Sequence, residues 1–161
     1  AQYIISNARD QNPPSGGFSI WLTSQHVFYA TISKNSDSTK VNVIGEVVFE
    51  DVWSHVVFTF DSTDLIIYQN GVQKGITIIS ADIIEPAPYN LIIGALAHAA
   101  PTYRKFNGLI DDVRIYSEAL PATEIQKHYV QGLERFLANQ AITQSEYDQR
   151  ISLLNKYLAL D

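Results

Sequence analysis

The sequence predicts a mainly β fold with a helical extension at its C-terminus. Three observations carry that expectation. Short runs rich in Val, Ile, Tyr and Phe alternate apolar with other side chains, as strands with one buried face do. Asn70-Gly71 stands between two such runs and tolerates the positive φ angles of a tight hairpin turn. Near the C-terminus the apolar spacing changes: Leu133, Phe136 and Leu137 form one helical stripe, and Tyr147, Ile151, Leu154 and Leu158 form another.

Taken in order, Tyr3 to Ser6 reads as a strand, and residues 11–17 (Gln-Asn-Pro-Pro-Ser-Gly-Gly) as an exposed loop. Phe18 to Thr23 and Val27 to Ser33 form a hairpin. Lys34 to Thr39 is a polar turn, and Val41 to Phe49 is the next strand. Val56, Phe58 and Phe60 alternate with Val57 and Thr59. Asp61 to Asp64 is a polar corner, and Leu65 to Gln69 pairs back through it. Glu85-Pro86-Ala87-Pro88 breaks the chain before a short apolar strand, Leu91 to Ala95, stopped by Gly94. His98 to Lys105 is a loop long enough to carry function. Phe106 to Tyr116 reads as a strand whose Leu109, Val113 and Ile115 face a core, with Ser117-Glu118 ending it.

Pro121 suits the first turn of a helix, where its missing N–H costs nothing. Helices are expected over 121–138 and 144–160, with Ile125 and Tyr129 on one face. Thr143-Gln144-Ser145-Glu146 reads as a capping box, with Ile142 and Tyr147 placed as a hydrophobic staple. The two stripes, separated by Asn139-Gln140-Ala141, predict an antiparallel helical hairpin. It packs on the β body or docks its second stripe on a neighbouring chain. The expected division is a β unit over 1–120 and a helical hairpin over 121–161.

Four pieces in order now carry a resemblance: Trp53-Ser-His-Val with Phe58-Thr-Phe-Asp; Ile67-Tyr-Gln-Asn-Gly-Val; Ile92-Ile-Gly-Ala; and Phe106-Asn-Gly-Leu-Ile-Asp-Asp-Val-Arg-Ile-Tyr with Ala119-Leu120 and a helix. The chain resembles a laminin-G-like domain of the concanavalin-A-like lectin/glucanase superfamily over most of residues 1–130. The resemblance implies an antiparallel jelly-roll sandwich of two sheets, found in secreted or surface proteins that bind glycans or other proteins. Against that pattern, residues 1–10 look like a third strand, and two sheet positions are expected to be empty. The missing strands are cut away, supplied by another chain, or absent from this fold. An open edge invites strand addition and hence self-association. Residues 136–158 also resemble a short helical-hairpin motif found in many bacterial proteins.

The 161 residues are 46% hydrophobic, enough for one sizeable core. The net charge of −6 leaves no basic stripe to displace counterions, which argues against nucleic acid. No apolar run is long enough for membrane insertion as a helix. Without cysteine there is neither a disulfide nor a thiolate metal site. There is no methionine even at position 1, so the chain is expected to be a processed product or a fragment.

Catalysis finds no constellation. Glu46, Val48 and Glu50 share a strand face, but the middle position of the superfamily's acid–aspartate–acid pattern is Val48. His26, His55, His98 and His128 are scattered, and no nucleophile elbow exists. His55 reads as a structural residue at a strand start and His128 as a surface residue. The resemblance implies a structural calcium near the Ile-Asp-Asp-Val strand, with Asp111 or Asp112 as ligand, since calcium gathers carboxylate and carbonyl oxygens. Adjacent strand residues point to opposite faces, so one of the two carboxylates pairs with Arg114 or Arg104 instead. For a glycan or protein ligand, Phe18, Ile20 and Leu22 alternate to one side while Trp21 faces the other, where Tyr29 joins it. There Trp21 is a stacking platform for sugar rings or a covered residue. Tyr89, Asn90 and Tyr103 lie on loops that form alternative rims. The expected role is a non-catalytic recognition module outside the cell or at its surface. The alternative is a subunit of a surface filament or layer.

Overall fold

A computed structural model describes residues 1–8, 16–34, 39–80, 82–87, 89–96 and 104–159. Two antiparallel sheets stack on each other. The larger contains β1 (Gln2–Ser6), β2 (Phe18–Leu22), β3 (Val27–Ser33), β4 (Lys40–Val47) and, late in the chain, β8 (Ile92–Ile93), in the order β4-β3-β2-β1-β8. The smaller contains β5 (Val56–Phe60), β6 (Asp64–Gln69) and β7 (Val72–Ile78), in the order β5-β6-β7. Two helices follow, α1 (Ala122–Ala138) and α2 (Gln144–Leu158). The mainly β sandwich with a helical extension is therefore present.

Alternation decides which side chains meet between the layers. Leu22, Phe28, Ala30, Ile32 and Val43 from the large sheet bury against Leu65 and Ile67 from the small one. Each of the larger side chains so buried contributes about 1.5–3 kcal/mol relative to exposure. The layers close along one side, where β4 approaches the small sheet. The Gln69 amide reaches the main chain of Glu46 there, taking its N–H and donating to its carbonyl. The Thr77 hydroxyl donates to the Asn42 carbonyl at 2.9 Å. Gly75 is needed at this contact, because a Cβ would meet the Ile44 carbonyl. These side chains occupy main-chain groups that an edge strand otherwise leaves open.

The opposite side differs from expectation. Residues 106–120 form no ladder strand. Phe106 still packs on the core, and its N–H donates to the Gly94 carbonyl at 2.9 Å. Beyond it, Leu109 is 77% exposed and Ile115 61% exposed, so neither faces a core. Asp112 has φ of +53°, a left-handed conformation that breaks strand alternation at that point. The alternation of this segment specifies which residues share a face, but a strand also needs a neighbour to bond with, and none is beside it among the described residues.

The helical hairpin packs on the end of the sandwich and builds a second core of Tyr129, Leu133, Ile142 and Leu154, with Val72, Phe136 and Ile151 against it. The turn between β6 and β7 is the docking point. Asn70 and Gly71 have φ of +53° and +79°, and a Cβ at Gly71 would lie 3.1 Å from the Tyr129 ring. Trp53 contacts Phe136 with ring centroids 5.4 Å apart, and Arg150 donates to the Trp53 carbonyl at 2.8 Å. Of the second stripe, Tyr147, Ile151 and Leu154 face this core, whereas Leu158 is exposed.

Two local expectations need correction. Pro121 caps α1 from outside, with extended backbone, rather than occupying its first turn. The capping box is half formed: the Thr143 hydroxyl accepts from the Glu146 N–H at 3.1 Å, but the Glu146 carboxylate turns to Arg150 at 2.7 Å. A guanidinium offers a charge-assisted bond, which outcompetes the neutral Thr143 amide.

Candidate functional site: a cleft on the outer face of the large sheet

The residues between the core-facing positions of β1 to β4 point away from the small sheet. Register arranges them in two rows. Tyr3 lies opposite Trp21, and Trp21 opposite Tyr29, giving an aromatic row. Ser19 lies opposite Thr31, and Thr31 opposite Asn42, giving a hydroxyl and amide row beside it. The rows are joined by hydrogen bonds. The Trp21 indole N–H donates to the Thr31 hydroxyl at 2.9 Å, and that hydroxyl donates to the Asn42 side-chain carbonyl at 2.7 Å. A cleft of about 290 Å³ opens over them, bounded also by Ser33, Lys40, Leu96 and Arg104. Arg104 lies 6.0 Å from the centre of the Tyr3 ring, with Nη1 3.5 Å from its hydroxyl.

The aromatic row is more than an exposed platform. Trp21 is half-buried between two rings: Tyr3 stacks with centroids 5.9 Å apart and planes at 19°, and Tyr29 lies at 4.6 Å. Both indole faces are thereby engaged by neighbours. The cleft is lined by Tyr3 and Trp21 together with Ser19, Thr31 and Asn42, whose side chains carry donors and acceptors. Trp21, Thr31 and Asn42 are pre-organised by this network, each held by the next.

Of the sequence-predicted ligand residues, Trp21 lines the cleft, and Tyr29 backs it without lining it. Tyr89 and Asn90 do not line it. Tyr103 lies outside the described residues. Residues 11–15 of the first loop and 98–103 of the later one lie outside them too. Of Tyr3, Ser19, Thr31, Asn42 and Arg104, only Arg104 was singled out from sequence, as a partner for a carboxylate. The hairpin register carries the signal for the middle three: once Trp21 faces outward, Ser19, two residues before it, does too, and its cross-strand partners follow.

Asp111 and Asp112 face guanidinium groups. Arg114 forms a two-pronged pair with Asp112 at 2.9 and 3.0 Å. Arg135, from α1, reaches Asp112 at 3.2 Å and Asp111 at 3.7 Å. Partial burial opposes ionisation of Asp112, but the hydrogen bonds and charge of Arg114, then Arg135, win and hold its carboxyl below the usual range. Among the described residues no group of three or more His, Cys, Asp or Glu is placed to hold a metal. The pair as arranged does not fit a calcium site, which draws on roughly six to eight oxygens and is opposed by adjacent cations.

The carboxylates of the glucanase-like pattern are spoken for. Glu46 pairs with Lys74 at 3.1 Å, and Glu50 lies 3.7 Å from His26 beyond the end of β4. His55 sits between β5 and α1, stacked on Tyr129 at 5.9 Å, with Nδ1 buried and unpartnered. Burial first, then His128, lowers its pKa to about 4, so the ring is neutral and packs as a structural residue. His128 is half-buried and stacks on Tyr116 at 6.0 Å, not a bare surface residue.

The two stacked antiparallel sheets define the class as a lectin-like β sandwich. The comparison of sequences then fixes the family: residues 1–126 match the profile of a laminin-G family described as the concanavalin A-like lectin/glucanases superfamily, and the chain belongs to it. No curated protein matches the sequence. Among solved structures, an S-layer domain-containing protein from Clostridium thermocellum (residues 221–444) is similar at 21% identity and a TM-score of 0.44, over 74% of this chain. The chain spans 59% of that structure. No helix among the described residues is long and apolar enough to cross a membrane.

Proposed function

We propose that this domain is a non-catalytic recognition module, acting outside the cell or at its surface, which takes a glycan or a surface protein in the cleft beside Trp21. One observation carries the reading: a row of hydroxyl and amide side chains runs parallel to an aromatic row across three strands, at the floor of an open cleft. Sugars present that same mixture of hydroxyls and apolar ring faces, and peptides present amides beside apolar side chains. Membership of a lectin-like family supports the choice, and its members' usual setting supports the location.

The test is binding of the wild-type domain and of Asn42→Ala and Trp21→Ala variants to a glycan array and to surface-protein extracts. Asn42 is exposed, so its loss leaves the fold intact while removing one anchor of the polar row. Binding that is lost in both variants supports the cleft. Wild-type binding unchanged in Asn42→Ala and Trp21→Ala places recognition elsewhere.

A second reading, a subunit of a surface filament or layer, is favoured by a different observation. The segment from Leu109 to Tyr116 exposes Leu109, Val113, Ile115 and Tyr116 on the open side of the sandwich.

A further inference from the structure

We infer that residues 110–116 pair antiparallel with the same residues of a second copy of this chain, centred on Val113, and that this pairing holds two domains together. The inference rests on the assembly reading and gives it a surface, a register and an occupant.

The backbone of this segment calls for a partner. Between Gly108 and Ala119 no residue makes a backbone–backbone hydrogen bond in the described structure. Its apolar side chains are out of place for a surface: Leu109 is 77%, Val113 42% and Ile115 61% exposed. The patch does not stand alone. Ile110 lies 3.9 Å from the Cβ position at Gly94, the residue that follows the exposed Ile92 and Ile93 of β8 in the chain. A lone pair of strands is marginal in water, and these apolar residues supply the backing it needs.

Charge says what the partner is. In the register centred on Val113, each Asp112 lies opposite the other copy's Arg114, twice over by symmetry. Each Ile110 lies opposite the other's Tyr116, and Val113 meets itself. Asp111 falls beside Ile115, the one mismatched position, and retains Arg135 at 3.7 Å. The intrachain pair of Asp112 with Arg114 is exchanged for one across the interface, in competition with Arg135, which lies 3.2 Å from the same carboxylate. Asp112 must leave its φ of +53° to join the ladder.

Sedimentation and light scattering of the intact chain across a concentration series test this, with Asp112→Arg and Arg114→Asp as separate variants. The wild type is expected to be a dimer that dissociates on dilution. Either variant alone sets like charges opposite each other twice, and weakens self-association about tenfold or more. Mixing the two variants restores opposite charges at both positions, so the mixture is expected to form a heterodimer that neither makes alone. A rearrangement within one chain cannot produce that result. Far-UV circular dichroism confirms that each variant is folded before it is read. A wild type that stays monomeric at every concentration overturns both this inference and the assembly reading. Association that persists in both variants, or monomers that fail to combine on mixing, overturns the register and leaves assembly through another surface.

Discussion

Lowering the pH from neutral is expected to loosen the junction between sandwich and helices through His55. Its ring is buried against Tyr129, its Nδ1 has no partner, and its pKa is lowered from 6.5 to about 4. Burial is the main cause; His128 and Arg114 add to it, and Asp112 opposes. Above pH 6.5 the ring is neutral in both folded and unfolded chains, so the full stability is present. Between pH 6.5 and about 4 the unfolded chain takes up a proton that the folded one refuses, and stability falls as pH falls. The shift amounts to about 3 kcal/mol once both values are passed. Asp112 acts in a different window. Its lowered pKa contributes stability above the ordinary carboxylate range, which is lost only as pH falls through the lowered value. Urea unfolding at intervals between about pH 7 and about pH 4.5 therefore isolates His55. His55→Phe keeps a ring for Tyr129 and removes the titration, so its midpoint should hold nearly level over that window while the wild type declines. Equal slopes in the two proteins would show that His55 is not the group responsible.

Other perturbations probe the remaining joints. Gly71→Ala forces an L side chain into φ of +79° and sets a Cβ 3.1 Å from Tyr129; a loss of about 1–2 kcal/mol is expected in urea, and an unchanged midpoint would count against the turn as drawn. Leu133→Ala opens a cavity in the second core, where Leu133 is 2% exposed; the expected cost is about 2–5 kcal/mol, read by thermal and chemical melts together. Thr143→Ala removes the cap that receives the Glu146 N–H, costing about 1 kcal/mol. Calcium or a chelator should leave the melting temperature of the chain unchanged, since Asp111 and Asp112 face arginines; a rise of several degrees with calcium would mean that those pairs give way to the ion.

What was legible in the sequence is what short-range chemistry decides. The hairpin of β2 and β3 follows from alternation, and the left-handed turn at Asn70-Gly71 from the residues themselves. The cap at Thr143 is equally local. The other half of that box was not legible, because Arg150 competes for Glu146 and is itself drawn towards Trp53, 97 residues earlier. His55 reads as structural from its place beside Trp53, but its burial depends on Tyr129 arriving from a helix far along the chain.

The cleft and the exposed segment illustrate one limit from two directions. Alternation placed Trp21 and Tyr29 on the outward face, yet whether Trp21 offers a ring face depends on what lies opposite it in β1 and β3. Register put Tyr3 on one side and Tyr29 on the other, and so changed a flat platform into a stack beside the row of Ser19, Thr31 and Asn42. For residues 109–116 alternation again marked the faces, but no strand among the described residues pairs with them, and Leu109, Val113 and Ile115 are exposed. A strand's chemistry is therefore completed by its neighbour. In the cleft the neighbours are present among the described residues; on the open side the sequence Asp112-Val113-Arg114 sets opposed charges about an apolar centre, the pattern on which the proposed pairing rests.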